Sequence, residues 1–505
     1  MREKLGKQIK LYLNMGFFTT YAIFNVTLLC FHAPWRDEAN VWLMARDLSP
    51  LQLLREIKYQ GHPCLWYFLV MPFAKFGLPF RTIGIISTMV MVLTAWIYLW
   101  KGPQWIGIKA LVVFSPVFTY FYPTIARNYC LIALILLLLA WNYSERNTHP
   151  IRYGILLGLL VQADTIAIAP AGMITLIWFA ENAYNRVHTK SMERLGNCLK
   201  GIWIPFVSLL FWIVQFYQVS DSPVFEFQKF GVLELLREVR NYAYIILIRL
   251  TGWNQSLCTC FFAALILLMV VISYRLRNIS AISVMMLSFL FQCVFSVMVY
   301  QLHIWHYISL AFVFLWMLWT METTAEEKGL DKDKWYRLSI RGLQIALGVL
   351  AIAMFLHWNS DEEPSNLQQA LHGSYSDGQN AAEFIKEQID PAEILISTDV
   401  PLDSTILAYL KDYQFYYAGS GKITSYADWS EEQSQTIYME ELLAWCRNTF
   451  PMKKEVYLIQ GNASCIVDSE QLAQYEVIYE TNGSTVRGEE YRIYRIPLGS
   501  EEADE

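Results

Sequence analysis

Two adjacent acids, Asp37 and Glu38, follow directly on the first long apolar run, in the stretch WRDEANVWLMARDLSPLQLLREIKYQGHP (35–63). Acids held at the mouth of a membrane helix are costly unless they have work to do. One carboxylate there could take the proton of an acceptor hydroxyl as that oxygen attacks a sugar carbon, which is general-base work. The same positions suit the first turn of a helix starting near Ala39, where acids meet the positive end of the helix dipole. Trp35 and Arg36 precede the pair. His62 follows between Gly61 and Pro63, on backbone that is turned and fixed. Its imidazole has the chemistry of a metal ligand, of a phosphate partner or of a turn cap.

Further polar residues stand out against an apolar background. Arg127 lies in YPTIARNY (122–129), flanked by Tyr122 and Tyr129. A guanidinium binds paired phosphate oxygens through its planar fork. An interfacial anchor is an equal reading, because Tyr gathers at membrane surfaces in any case. His303 and His306 in QLHIWHY are three residues apart, so a helix would put both on one face. A phosphate-binding or structural pair is preferred there over a metal pair. Asp164 interrupts the apolar run 153–180; an intramembrane acid is a functional candidate by default, with helix capping as the competing role.

These residues need elements to hold them. The chain has 505 residues, 55% of them hydrophobic and 17% charged, against about 25% charged in soluble domains. Several windows of about 18 residues carry almost no charge, which is the length that crosses a bilayer. The chain therefore reads as an α-helical polytopic membrane protein. Spans are expected at 11–31, 82–100, 105–122, 129–143, 201–219, 254–274, 279–300, 304–321 and 342–358, and 153–180 as a hairpin of two short helices, 153–163 and 165–180. That makes eleven membrane helices. The basic start, MREKLGKQIK, and the Lys and Arg of alternate loops place the N-terminus in the cytoplasm as a retained anchor. Residues 32–81 then form one external loop, with the short apolar run 64–77 lying along the membrane. Residues 220–253 carry the pattern of an amphipathic lid on the same face. The boundaries are 1–358 for the membrane module and 359–505 for a soluble, extracytoplasmic domain. In the latter, helices are expected at 377–389, 403–411 and 436–449, and strands at 393–398, 415–417, 455–460, 475–480 and 491–496, an α/β pattern. It has no glycine-rich phosphate loop, and no nucleic-acid partner is expected. The nine cysteines show no metal spacing; only Cys446 and Cys465 lie in the polar part, and their pairing is not readable.

Taken together, these outer-face elements resemble the GT-C superfamily of polytopic glycosyltransferases, which includes protein O-mannosyltransferases and aminoarabinose–lipid A transferases. The resemblance spans roughly residues 10–360. It rests on WRDEANVWLMARDL, GHPCLWYFLV, SPVFTYFYPTIARNY and QLHIWHY. It implies transfer of a sugar from a polyprenyl-phosphate donor to a lipid, glycan or protein acceptor at the outer face of a plasma membrane. It implies Asp37 as catalytic base with Glu38 in support, Arg127 on the carrier phosphate, and His62 and His306 lining the site. Arg36, Tyr129 and His303 complete the expected substrate-binding set. The chain departs from the pattern at Gln60, Ile125 and Trp305, where relatives often carry two acids and an arginine. These departures leave a divalent metal ion and the donor's identity open. Two other readings are a transporter or flippase of lipid-linked sugars and a membrane scaffold. A transporter usually shows inverted repeats with broken helices near the midplane; none is evident, and the polar residues gather on one face, which favours the enzyme.

Overall fold

A computed structural model of the chain describes residues 2–189, 192–217, 230–360, 367–373, 375–427, 436–461, 464–481, 483–484 and 488–499. Lys190, one of the basic residues of the alternate loops, and residues 220–229 of the expected lid lie outside them. The protein is mostly helical. Among the described residues, eight helices are long and apolar enough to cross a membrane: Gln8–Phe31, Thr82–Lys101, Thr165–Tyr184, Glu193–Phe216, Gln255–Leu276, Ser280–Met298, Ile304–Glu327 and Lys334–Trp358. Leu65–Lys75, Tyr129–Trp141 and Pro150–Ala163 are apolar but shorter.

The expected span 105–122 is broken. A helix covers only Ile106–Val113, and a single wide turn follows at Val117–Phe121. Pro116 is the cause: it lacks an N–H, and its ring collides with the carbonyl four residues back. The run 153–180 breaks at Asp164, whose backbone is extended (φ −164°, ψ 155°) between Pro150–Ala163 and the short turn Thr165–Ala167. Pro170, also within this run, falls in the first turn of Ile168–Thr189, where a missing N–H costs nothing. Pro150–Ala163 is fixed by a close crossing with Glu193–Phe216. A Cβ on Gly154 would lie 2.3 Å from the Gly201 carbonyl oxygen, so only glycine allows the approach.

The region expected as an amphipathic lid forms the helix Val232–Thr251. It buries Tyr242, Ile246, Leu247 and Leu250 against Ser280–Met298 and Lys334–Trp358, while Val232, Leu233 and Leu236 stay exposed.

Beyond the last long helix lies a six-stranded sheet: β1 (Leu395–Ser397), β2 (Phe415–Tyr417), β3 (Ile423–Thr424), β4 (Glu455–Gln460), β5 (Glu476–Glu480) and β6 (Arg492–Pro497), ordered β3-β2-β1-β4-β6-β5. The centre is parallel and both edges are antiparallel. Successive strand residues point to opposite faces. Leu395, Tyr457, Ile459 and Ile493 face the core shared with the membrane helices. Ile396, Val456, Leu458 and Tyr494 face a second core under the helix Met439–Thr449. The helix Val400–Tyr409 packs directly on Arg36–Asp47, so the sheet region sits on the loop that carries the acid pair. Cys446 and Cys465 are both buried and unpaired.

Candidate functional site

The helix Arg36–Asp47 begins from an extended Trp35 (φ −110°, ψ −179°). At its start the two acids part company. Glu38 is fully buried. Its Oε2 takes the Trp35 N–H at 3.0 Å and lies 2.9 Å from His32 Nε2, while Oε1 takes the Ala126 N–H at 2.7 Å. Glu38 therefore does not line the cavity described below, where a catalytic group would have to reach substrate. It ties the helix start to the 122–129 turn, and that turns Asp37 outward. Glu38→Ala would strand buried donors, each costing about 1–3 kcal/mol. The thermal midpoint in detergent should fall steeply for this variant and much less for Glu38→Gln.

The 122–129 turn is pinned from behind, with Ser87 Oγ donating to the Tyr122 carbonyl at 2.6 Å and Thr88 Oγ1 to that of Pro123 at 3.1 Å. Arg127 projects from it, its side chain 10% exposed. Nη1 pairs with Asp37 Oδ2, and Nη2 lies 2.7 Å from His62 Nε2. A guanidinium has only donors, so His62 Nε2 must accept and its proton sits on Nδ1. That nitrogen is 3.0 Å from Asp164 Oδ2 and donates to it. Asp164 also accepts from Asn128 Nδ2 at 2.6 Å and from the Ile166 N–H at 2.8 Å. The two roles weighed for Asp164 coincide: it caps the turn and anchors His62. A continuous polar chain, Asp37–Arg127–His62–Asp164, thus joins four separate segments. Gly61 makes the approach of His62 possible by turning the backbone at φ +70°.

His306 Nδ1 accepts the His303 N–H at 2.9 Å, so its ring presents Nε2 elsewhere. His303 stacks on Trp305, centroids 5.0 Å apart, and burial pushes its pKa down. Tyr129 is buried behind the site, edge-on to His62 at 5.9 Å and to His306 at 5.4 Å. It braces these rings but does not itself line the opening.

The opening is a cavity of about 400 Å³. Arg36, Asp37, His62, Arg127, His303 and His306 all line it, together with Asp164, Trp35, Tyr300 and Trp305. Gln60 lines it too. Its Oε1 accepts from Asn40 Nδ2 at 2.6 Å and its Nε2 donates to the Ala427 carbonyl at 2.5 Å, joining the loop to the sheet region. Ile125 is buried. Among the described residues, no group of three or more His, Cys, Asp and Glu side chains converges as metal ligands. A separate apolar groove of about 320 Å³ is walled by Ile246, Leu250, Phe262, Met269, Phe289, Phe314 and Leu350. Tyr242 Oη donates to the Leu302 carbonyl at 2.8 Å, linking the helix that walls the groove to the rim of the cavity.

Glu489 was not evident in the sequence. It is fully buried; Oε1 takes the Arg36 N–H at 2.7 Å, and Oε2 takes the Ser376 hydroxyl at 2.5 Å. Burial lifts its carboxyl from the ordinary 4.5 up to about 7. A raised folded-state pKa gives stability that is full below about 4.5 and is lost as pH rises through about 7. The thermal midpoint should therefore drop between about pH 5 and about pH 8, and Glu489→Gln should flatten that drop. Identical slopes for the two proteins would refute the assignment.

No family model and no curated protein matches the chain. Among solved structures, the crystal structure of ArnT from Cupriavidus metallidurans in the apo state is similar over 98% of this chain and 98% of its own, with 13% identity and a TM-score of 0.49. The crystal structure of ArnT from the same organism bound to undecaprenyl phosphate is similar over 96% of this chain and 98% of its own, with 12% identity and a TM-score of 0.46.

Proposed function

We propose that the chain is a membrane glycosyltransferase that moves a sugar from a polyprenyl-phosphate donor to an acceptor hydroxyl, with Asp37 as general base. The observation that carries this reading is the cavity itself: the Asp37 carboxylate, two guanidiniums and three imidazoles line it, and the consecutive residues His306 and Tyr307 line the cavity and the apolar groove respectively. A lipid-linked donor needs a groove for its chain, cations for its phosphate and a base where the acceptor arrives. The motif resemblance to GT-C enzymes points the same way.

In the step proposed, the acceptor oxygen attacks the anomeric carbon while Asp37 takes its proton. The bond from that carbon to the phosphate oxygen breaks, and the electron pair leaves on the polyprenyl phosphate. Arg127 and Arg36 face the charge that develops there; charge fixed in place before the reaction usually lowers such barriers more than any other single effect. Arg36 Nε lies 3.9 Å from Asp37 Oδ1, so both cations bracket the carboxylate before substrate enters. In this reading Tyr129, His62 and Asp164 hold Arg127 in place, and Glu38 holds Asp37. The loop face is proposed as extracytoplasmic.

Comparing envelope glycolipids and glycans of cells with and without the gene tests the reading. A sugar missing from one acceptor in the deletion strain, restored by wild type and not by Asp37→Asn, is the expected result. An unchanged profile would contradict it.

A further inference from the structure

A second cavity, of about 700 Å³, opens where the first loop meets the sheet region. None of the residues placed in the transfer site lines it. Its free charges come from three elements. Lys75 ends the helix Leu65–Lys75, Lys386 lies on the helix Gly378–Gln388, and Lys411 follows Val400–Tyr409. Arg46 also lines the cavity, but Asp47 neutralises it, with Nε to Oδ1 at 2.6 Å. Lys75 Nζ donates to the Arg46 carbonyl at 3.2 Å, and no carboxylate pairs with Lys75, Lys386 or Lys411 among the described residues. No acid among the described residues lines the cavity.

Three unpaired ammonium groups brought together from distant parts of the chain describe a site for an anion. Its setting says which kind. The helix Thr82–Lys101, long and apolar enough to span, starts two residues after the cavity wall 76–80, which puts that wall at the membrane boundary. The wall also exposes apolar side chains: Phe76 is 86% exposed, Leu78 44% and the neighbouring Phe73 37%. Gly77 at φ +75° makes the turn between them, and its Cα side faces Lys411 Nζ, 3.5 Å from where a Cβ would be. Cations over an exposed apolar rim match the two halves of an anionic lipid, phosphate and acyl chains. The pattern does not depend on the proposed transfer reaction.

We infer that Lys75, Lys386 and Lys411 form a binding site for the phosphate of an anionic membrane lipid. Full-length protein purified in mild detergent can be delipidated and mixed with phosphatidylglycerol or phosphatidylcholine, and bound lipids counted by native mass spectrometry. Wild type should retain phosphatidylglycerol in preference to phosphatidylcholine. The triple variant Lys75→Gln, Lys386→Gln, Lys411→Gln should retain it roughly 10- to 100-fold less well, since each lysine near such a surface contributes a modest increment. All three side chains are exposed, so the variant's thermal midpoint should match wild type. Equal retention by the variant would overturn the inference. So would inorganic phosphate displacing the lipid at a concentration similar to that of the lipid, because the site would then be one for a free anion.

Discussion

Asp37→Asn is expected to abolish the proposed sugar transfer, with a fall on the order of 10²- to 10⁴-fold, the usual scale for losing a positioned proton acceptor. The substitution keeps the shape of the side chain and can still accept a hydrogen bond from Arg127 Nη1, so the protein should insert and fold as wild type does. The different settings of the two acids are the reason to expect the effect at Asp37 and not at its neighbour. The Asp37 side chain is 29% exposed and lines the cavity, whereas Glu38 is sealed beneath it with its oxygens already engaged. Transfer rate, measured on variant protein matched for yield and elution profile, checks the claim. Substantial activity in Asp37→Asn would remove the base from Asp37, and a loss of activity that tracks a loss of folded protein would make the residue structural.

Arg127→Ala carries the second large effect. It deletes the middle of the chain Asp37–Arg127–His62–Asp164 and one proposed partner of the leaving phosphate. Truncating one member of a buried, hydrogen-bonded charge pair typically costs about 2–5 kcal/mol. Here the cost should appear in transfer on both kcat and KM for the donor. Arg127→Lys should recover little, because a point-charge ammonium cannot reach both Asp37 and His62 as a planar fork does. His62→Ala leaves the Asp37–Arg127 pair intact and should fall between Asp37→Asn and wild type. A set of rates in which His62→Ala is worse than Arg127→Ala would mean that the imidazole, rather than the guanidinium, meets substrate.

The sequence exposed most of the cavity because its residues are expensive in an apolar chain. Asp37, His62, Arg127, His303 and His306 each stand out as polar groups beside long hydrophobic runs, and the structure places all of them around one opening. What spacing alone left unresolved was which acid is buried and which lines the cavity, since adjacent acids at a helix start look alike until their oxygens are followed. Glu489 carried no signal: it meets Arg36 across 453 positions, and nothing in GEEYRIY distinguishes it from a surface acid. The broken helix before Tyr122 was visible in principle as Ser115-Pro116, but hydrophobicity averaged over 105–122 conceals it. In the sheet, EVYLIQ was legible as β4 because four apolar or aromatic residues, Val456 to Ile459, run together, while β3 is two residues defined only by its pairing with Phe415 and Tyr416.

The central claim is that sugar leaves a polyprenyl phosphate and bonds to a hydroxyl in this cavity. Its most direct test is to reconstitute the purified protein in liposomes with a polyprenyl-phosphate-linked labelled sugar and an extract of acceptors, and to follow label and carrier together. Label should move to an acceptor in step with the release of free polyprenyl phosphate, and Asp37→Asn should stop both. Label that changes leaflet while still attached to its carrier, with no phosphate released, would contradict it and establish a translocator instead.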